Sequence, residues 1–468
     1  MIKNSTGKPK IGLLPLYLKL YDDAMPDIRG RIVDFYDTIC KEFIKRDVTV
    51  LTSKLCRVKK EFLKSVEFFE KENADSIVTL HLAYSPSLES AEVLANTKIP
   101  LIILDTTPSY SFAPDSDPSD IMYNHGIHGV QDLCNMLLRL KKSFTIEAGH
   151  WKESDVIDRI LKHVKASAIA GSFKTIKAGS LGGSFKGMGD FQVSRKALSK
   201  TIGIKVIDIL PQDLNKIMHG LDENEIEAET RKDLDFFKCG NIDKEFLKST
   251  NKLGLALRKL IARENLKALS INFSAINKDY GFDTIPFLEI SKGMSNGIGY
   301  AGEGDVLTAS LVGSLMTLYP EATFTEMFCA DWKNNRIFLS HMAEVNISLL
   351  ASKPKLIKAN MPFLPVESPV IAAGRLKPGR AVLVNIAPLK DNLYKLIVCP
   401  VNVEDIKDEN DRMADTIRGW ITPGISAKDF LEEYSRAGGT HHLALVYGEV
   451  SDEIASFGKI MGFEVIKI

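Results

Sequence analysis

Neither sign of charge predominates in this chain of 468 residues: acidic and basic residues balance at 60 each. No basic stripe interleaved with aromatics occurs, so the electrostatic footprint of a nucleic-acid binder is missing. No run approaches the roughly 18 uninterrupted apolar residues that span a bilayer. The apolar segment 11–20 is broken by Pro15 and Lys19, and the charged amino terminus is not followed by a run of signal-peptide character. Paired cysteines of the CxxC kind are also absent. Cys40, Cys56, Cys134, Cys239, Cys329 and Cys399 stand apart, as expected of reduced thiols in a cytosolic enzyme. A cytoplasmic protein with neither nucleic-acid nor membrane partners is therefore expected.

Two glycine signatures are missing as well. Gly12 in the first strand-like run has no further glycines to form GxGxxG, so a dinucleotide is not indicated. The glycine-rich stretch Gly179-Ser-Leu-Gly-Gly-Ser-Phe-Lys-Gly-Met-Gly-Asp190 lacks the Gly-Lys-Ser/Thr ending of a P-loop and is a weak phosphate signal.

What is present is β/α alternation. Strand-like runs at 11–17, 48–52, 76–81 and 101–105 alternate with helical segments at 28–44 and 59–71, the pattern of βαβ units and a parallel sheet covered on both faces. A second β/α region starts near Ala170 and includes runs at 205–209 and 268–273, with a charged helical stretch at 222–264 that reads as solvated helix faces. After a helix at 305–319 the texture becomes β-rich, with runs at 324–330, 336–340, 380–386, 393–401 and 416–421. That suggests an antiparallel sheet or barrel. The expected fold is α/β: two open parallel-sheet domains at 1–170 and 171–320, then a mostly antiparallel β-barrel domain at 321–468.

Four residues of the last third stand out: Glu303, Glu326, His341 and His442. Two carboxylates and two neutral imidazoles form a mixed shell suited to Mn²⁺ or another first-row divalent ion, with positions left for a substrate. Their spacing matches no short metal motif. Each also has a plain structural explanation as a buried polar side chain with a backbone partner. Cys329, three residues after Glu326, is expected to pack in the interior rather than to ligate. His125 and His128 form an i, i+3 pair near a helix start expected at 129–140, readable as a second metal site or as helix-start hydrogen-bonders.

The motifs Tyr300-Ala-Gly-Glu-Gly-Asp305, Phe324-Thr-Glu326, Leu339-Ser-His-Met-Ala-Glu-Val345 and Ala437-Gly-Gly-Thr-His-His442 carry a resemblance to the L-arabinose isomerases, and more distantly to the L-fucose isomerases. Leu80-His81, Tyr84-Ser-Pro86, Asn124-His-Gly-Ile-His-Gly129 and Gly149-His-Trp151 extend it through the first half. The resemblance implies a three-domain subunit in a homo-hexamer, with Mn²⁺ held by Glu303, Glu326, His341 and His442. It implies interconversion of an aldose and its ketose. It makes His441 a neighbour of the shell rather than a ligand, brings His128 to the active site of an adjoining subunit, and places Met188 and Ile276 at substrate-pocket positions.

The residue types fit that chemistry. Moving a carbonyl from C1 to C2 requires a proton taken from carbon and returned to its neighbour through an enediol(ate), work that Glu303 and Glu326 can share. The chain departs from the common arabinose isomerase pattern at Val306-Leu307, where Trp-Lys is usual, and at Met327-Phe328-Cys329. Wall residues of this kind read differences of a methyl or hydroxyl, so a related sugar is a candidate beside L-arabinose. A catalytically silent sugar-binding protein, or an epimerase or lyase using the same site, are the competing readings.

Overall fold

The computed structural model describes residues 7–468 apart from 241 and 408–410. The described chain divides into two compact units, Gly7–Gly171 and Ser172–Ile468. Among the described residues the strands form three sheets.

In the first unit β1 (Lys10–Leu16), β2 (Thr49–Thr52), β3 (Ser76–His81), β4 (Leu101–Asp105) and β5 (Phe144–Ala148) make a parallel sheet in the order β2-β1-β3-β4-β5. Successive strand side chains point to opposite faces, and the two cores follow that alternation. Ile11, Leu13, Val78 and Leu80 pack with Ile32, Phe35 and Ile39 of the helix Arg29–Lys45. Leu14, Leu16, Ile77 and Ile103 pack with Phe62, Val66 and Phe69 of the helix Lys59–Lys71. Each fully buried large side chain contributes about 1.5–3 kcal/mol. Burial on both faces explains why these strands read as continuous apolar runs.

The second unit begins with β6 (Lys177–Leu181), β7 (Lys205–Ile209), the two-residue β8 (Lys238–Cys239), β9 (Ala268–Ile271) and β10 (Gly299–Gly302). A parallel sheet runs β10-β9-β6-β7, while β8 joins the sheet that follows. The charged stretch read as solvated faces is two helices, Glu223–Phe236 and Lys244–Glu264. Part of it points inward: Glu229 and Asp233 are buried. Their burial is tolerated because Arg258 and Lys292 pair with them, Lys292 Nζ lying 2.7 Å from Glu229 and 3.0 Å from Asp233.

The remaining strands are β11 (Ala322–Asp331), β12 (Arg336–Ser340), β13 (Lys355–Lys358), β14 (Val370–Arg375), β15 (Gly379–Pro388), β16 (Tyr394–Val403), β17 (Ile417–Pro423), β18 (His442–Tyr447) and β19 (Glu464–Lys467). The order β16-β15-β18-β11-β12-β17 closes on itself through β16–β17 pairing into an antiparallel barrel. Two parallel-sheet α/β domains and a closed antiparallel barrel are thus the architecture expected from the sequence. No helix among the described residues is long and apolar enough to cross a membrane.

Candidate active site

Glu303 sits in the turn between β10 and the helix Val306–Met316. It adopts the left-handed backbone region at φ 64°, followed by Gly304 at φ 88°, a conformation costly for a residue with a Cβ. A Cβ on Gly304 would stand 2.2 Å from the Gly183 carbonyl oxygen, so this position needs glycine for space as well as for φ. The turn is held by Glu303 N–H donating to the Ile271 carbonyl at 2.8 Å and by Phe185 N–H donating to the Glu303 carbonyl at 2.7 Å. Asp305 closes it by capping the helix, its Oδ1 accepting from Thr308 N–H at 2.9 Å.

Barrel register supplies the rest. Glu326 on β11 is directly opposite His442 on β18 and Ser340 on β12, and His341 follows Ser340 at the end of that strand. Antiparallel pairing therefore brings together residues far apart in the chain. His442 Nε2 lies 3.1 Å from Glu326 Oε1 and 3.4 Å from Glu303 Oε2. His341 Nε2 lies 3.7 Å from Glu326 Oε1. Phe324, two residues before Glu326, meets both imidazoles edge-on, with centroids 4.7 Å from His341 and 5.0 Å from His442.

Each imidazole is oriented from behind by a carboxylate. His442 Nδ1 is 3.0 Å from Asp305 Oδ2, His341 Nδ1 contacts Glu344 Oε2, and His441 Nδ1 is 2.7 Å from Asp190 Oδ2. With Nδ1–H donated to a carboxylate, Nε2 is the nitrogen turned toward the cluster, and in the neutral ring it offers a lone pair there. Burial opposes charge on His442, but Asp305, then Glu303 and Glu326, outweigh it and lift its pKa to about 11. Burial would likewise raise Glu303, yet His441 and His442 bring it down to about 2. Glu303 is thus held ionised by its histidine neighbours, and the site favours positive charge beside it.

A divalent cation meets that demand. Glu303 Oε2 and His442 Nε2 are buried and, though close to each other, make no well-aligned hydrogen bond, an unfavourable state for polar atoms unless something binds them. Atoms of Glu303, Glu326, His441 and His442 all lie within 4.8 Å of one another. Three of these belong to the expected ligand set. His441, expected beside the shell, offers Nε2 at 3.7 Å from Glu303 Oε2, while His341 comes within ion-pair distance of Glu326 but not of Glu303.

The other expected residues are scattered. Met188 is half-buried in the glycine-rich loop, and Ile276 is wholly buried in the core. Phe273, three residues before Ile276, instead lines a cavity of about 40 Å³ beside Glu303 and His341, with Met361 and Phe363. Cys329 is exposed, against the expected interior packing; the strand bulges between Met327 and Cys329, which turns its side chain outward. In the first unit His128 is exposed and stacked on Tyr84 at 4.9 Å, and His125 Nε2 lies 2.9 Å from the Tyr21 hydroxyl.

Sequence reasoning passed over Asp305, Glu344 and Asp190. The first two lie inside motifs already singled out, so their signal was proximity. Asp190 likewise ends the glycine-rich stretch already singled out, but it is 251 residues from His441 and nothing in the stretch points to that partner.

Fold and site together define a class: parallel-sheet α/β domains and a closed antiparallel barrel, with paired carboxylates and carboxylate-held imidazoles suited to proton transfer beside a carbonyl. Residues 194–319 match the L-arabinose isomerase central domain and residues 321–464 the L-arabinose isomerase C-terminal domain. L-arabinose isomerase 1 of Clostridium acetobutylicum is 24% identical over 427 residues, covering 87% of this chain and 85% of the relative. L-arabinose isomerase 2 of the same organism is 23% identical over 469 residues, covering 96% and 93%. The enzyme of Lactiplantibacillus plantarum is 24% identical, covering 86% and 85%. The chain belongs to the L-arabinose isomerase family and is an aldose-ketose isomerase, an intramolecular oxidoreductase.

Proposed function

We propose that this isomerase interconverts L-arabinose and L-ribulose, or a closely related aldose and ketose, at a site holding one divalent ion, Mn²⁺ or a similar first-row metal. The observation that carries the metal reading is the convergence of Glu303 Oε2, Glu326 Oε1 and His442 Nε2, two of them buried and otherwise unpartnered. Glu303, Glu326 and His442 would hold the ion together with His341, whose Nε2 also faces Glu326. When bound, the ion supplies a Lewis acid that lowers the cost of negative charge on adjacent sugar oxygens.

The chain's own groups then share the proton work. One of Glu303 and Glu326 takes the proton from carbon while the other handles the hydroxyl proton, and the two exchange roles in the reverse direction. Asp305 and Glu344 keep the two imidazoles in the Nδ1–H tautomer. Met188 is proposed to line the sugar pocket, whereas Ile276, wholly buried, would shape it only from behind Phe273. His128 is proposed to contact the sugar of a neighbouring subunit in a homo-hexamer, which would leave the monomer without a complete site. A cytoplasmic role in arabinose catabolism is part of the same proposal, its arabinose element supported by the names of the relatives.

The test is a panel of L-arabinose, D-galactose, L-fucose, D-arabinose and L-ribulose assayed with Mn²⁺, with products identified and solvent deuterium followed at C1 and C2. Ketose from L-arabinose with deuterium incorporation is expected. Sugar binding without product, or an epimer or cleavage product, would replace the proposal with one of its competitors.

A further inference from the structure

The glycine-rich stretch 179–190 is no P-loop, yet it is tied to both halves of the cluster. Near its start, Gly182 at φ 82° runs against Ala275, where a Cβ would fall 2.3 Å from the alanine methyl. The backbone then passes so close to the Glu303 turn that Gly304 is confined by Gly183 and Ser184, and Phe185 N–H binds the Glu303 carbonyl. At its far end two consecutive residues engage two consecutive histidines. Asp190 Oδ2 accepts from the backbone N–H of His441 at 3.0 Å and lies 2.7 Å from its Nδ1. Phe191 stacks on His442 with centroids 4.9 Å apart and planes 12° apart.

We infer that segment 182–191 is a positioning clasp, which registers the Glu303 turn against the His441-His442 pair and, through Asp190, aims His441 Nε2 at Glu303 and Glu326. The argument is geometric. His441 is 40% exposed on its side chain, so burial does not fix its ring. Two hydrogen bonds to one carboxylate oxygen do, because they fix both the backbone and the imidazole plane and leave Nε2 as the atom presented to the cluster. His442 is already fixed by Asp305 on its edge, and Phe191 covers its face. Asp190 is thus a positioning residue that touches no reacting atom itself. The inference rests on the proposal that the cluster is the reaction centre.

Asp190→Ala in the full chain is expected to weaken Mn²⁺ binding, read by calorimetry or by the paramagnetic signal of free Mn²⁺, by up to about 10 fold, the low end for support of a ligand because His441 borders the proposed ligands. Asp190→Asn is expected to fall between the variant and the wild type, since its amide oxygen still accepts from Nδ1–H without the charge. Wild-type affinity in Asp190→Ala would overturn the clasp. Should that variant fail to fold, Asp190→Asn decides, weaker binding supporting the inference and unchanged binding refuting it. If the wild type itself neither binds Mn²⁺ nor isomerises sugars, the proposed function fails, and the clasp is then judged by the crystal structure of Asp190→Ala. A His441 ring turned away from Glu303 supports it, and an unmoved ring removes it.

Discussion

In Gly7–Gly171 burial holds His81 neutral, pushing its pKa down to about 3 with both ring nitrogens unpartnered. In Ser172–Ile468 burial also acts against charge on His442, yet Asp305, Glu303 and Glu326 raise it to about 11. His125 follows His81, lowered by burial and by His128, whereas His341 follows His442: burial acts against its charge, but Glu344 and then Glu326 raise it. Residue type is constant across the comparison and the neighbouring carboxylate is the variable. A histidine becomes an electrostatic partner for a cation site when a carboxylate stands behind it and others stand before it. The i, i+3 spacing of His125 and His128 offers neither, and their rings are engaged with Tyr21 and Tyr84.

The sharpest way to break this comparison is to remove the carboxylates in front of the imidazoles. Glu303→Gln and Glu326→Gln keep approximate shape and an oxygen ligand but lose the base, and each is expected to lower kcat by about 10²–10⁴ fold. Solvent deuterium exchange at C1 and C2, measured beside metal content, separates lost proton transfer from lost metal. Full exchange and turnover in both variants would make these carboxylates structural.

The next largest effect belongs to the first unit. His81 has a folded pKa near 3, below its unfolded value of about 6.5, so between those values the unfolded chain binds the extra proton. Stability is therefore lost as pH falls through that window, on the order of 3 kcal/mol by about pH 4. Thermal melts of the wild type and His81→Gln between about pH 7 and pH 4 test this. The variant has less native stability but a flatter pH dependence, and parallel curves would show that His81 is not the titrating group.

Much of this contrast is visible in the sequence, for identifiable reasons. The strands Ser76–His81, Leu101–Asp105, Lys205–Ile209 and Arg336–Ser340 coincide with apolar runs bounded by turn residues. The periodicity assigns nothing to β5, β13, β14, β18 or β19, nor to the helices Ala427–Ala437 and Ser451–Ile460. In β18 all six residues are buried, so no alternation marks it as a strand. β8 hides inside a charged stretch that reads as continuous helix, because two residues carry no period. Glu303, Glu326 and His442 are legible through motifs rather than spacing, since their proximity comes from the register of β11 against β18. Asp190 is invisible for the same reason, as only tertiary contact pairs it with His441.

A finer probe of the comparison removes the carboxylates behind the imidazoles. Asp305→Asn and Glu344→Gln leave the proposed ligands in place and change only their support, so Mn²⁺ affinity is expected to fall by about 10 to 100 fold. Asp305→Asn also alters the cap of Val306–Met316, but Asn caps about as well as Asp, so the melting temperature is expected to change little. Metal titration beside a melt distinguishes the two effects. A large loss of stability with unchanged Mn²⁺ affinity would move Asp305 from support of His442 to the helix cap alone.

The smallest expected effect on the ion comes from the histidine pair of the first unit. His128 is exposed and stacks on Tyr84, and no shift toward a charged ring accompanies its neighbour His125. His128→Ala is therefore expected to leave Mn²⁺ affinity within about twofold of wild type, in contrast to His442→Ala, which removes a proposed ligand together with the partner of Asp305. If His128 contacts sugar in a neighbouring subunit, as proposed, the same variant raises KM or lowers kcat while metal content stays full, so the two readouts separate. His441→Ala is expected between these extremes, because its Nε2 faces Glu303 from a half-open position. Parallel metal titrations of the three alanine variants give the order directly. Loss of the ion in His128→Ala with retention in His442→Ala would reverse the comparison and move the metal site to the first unit.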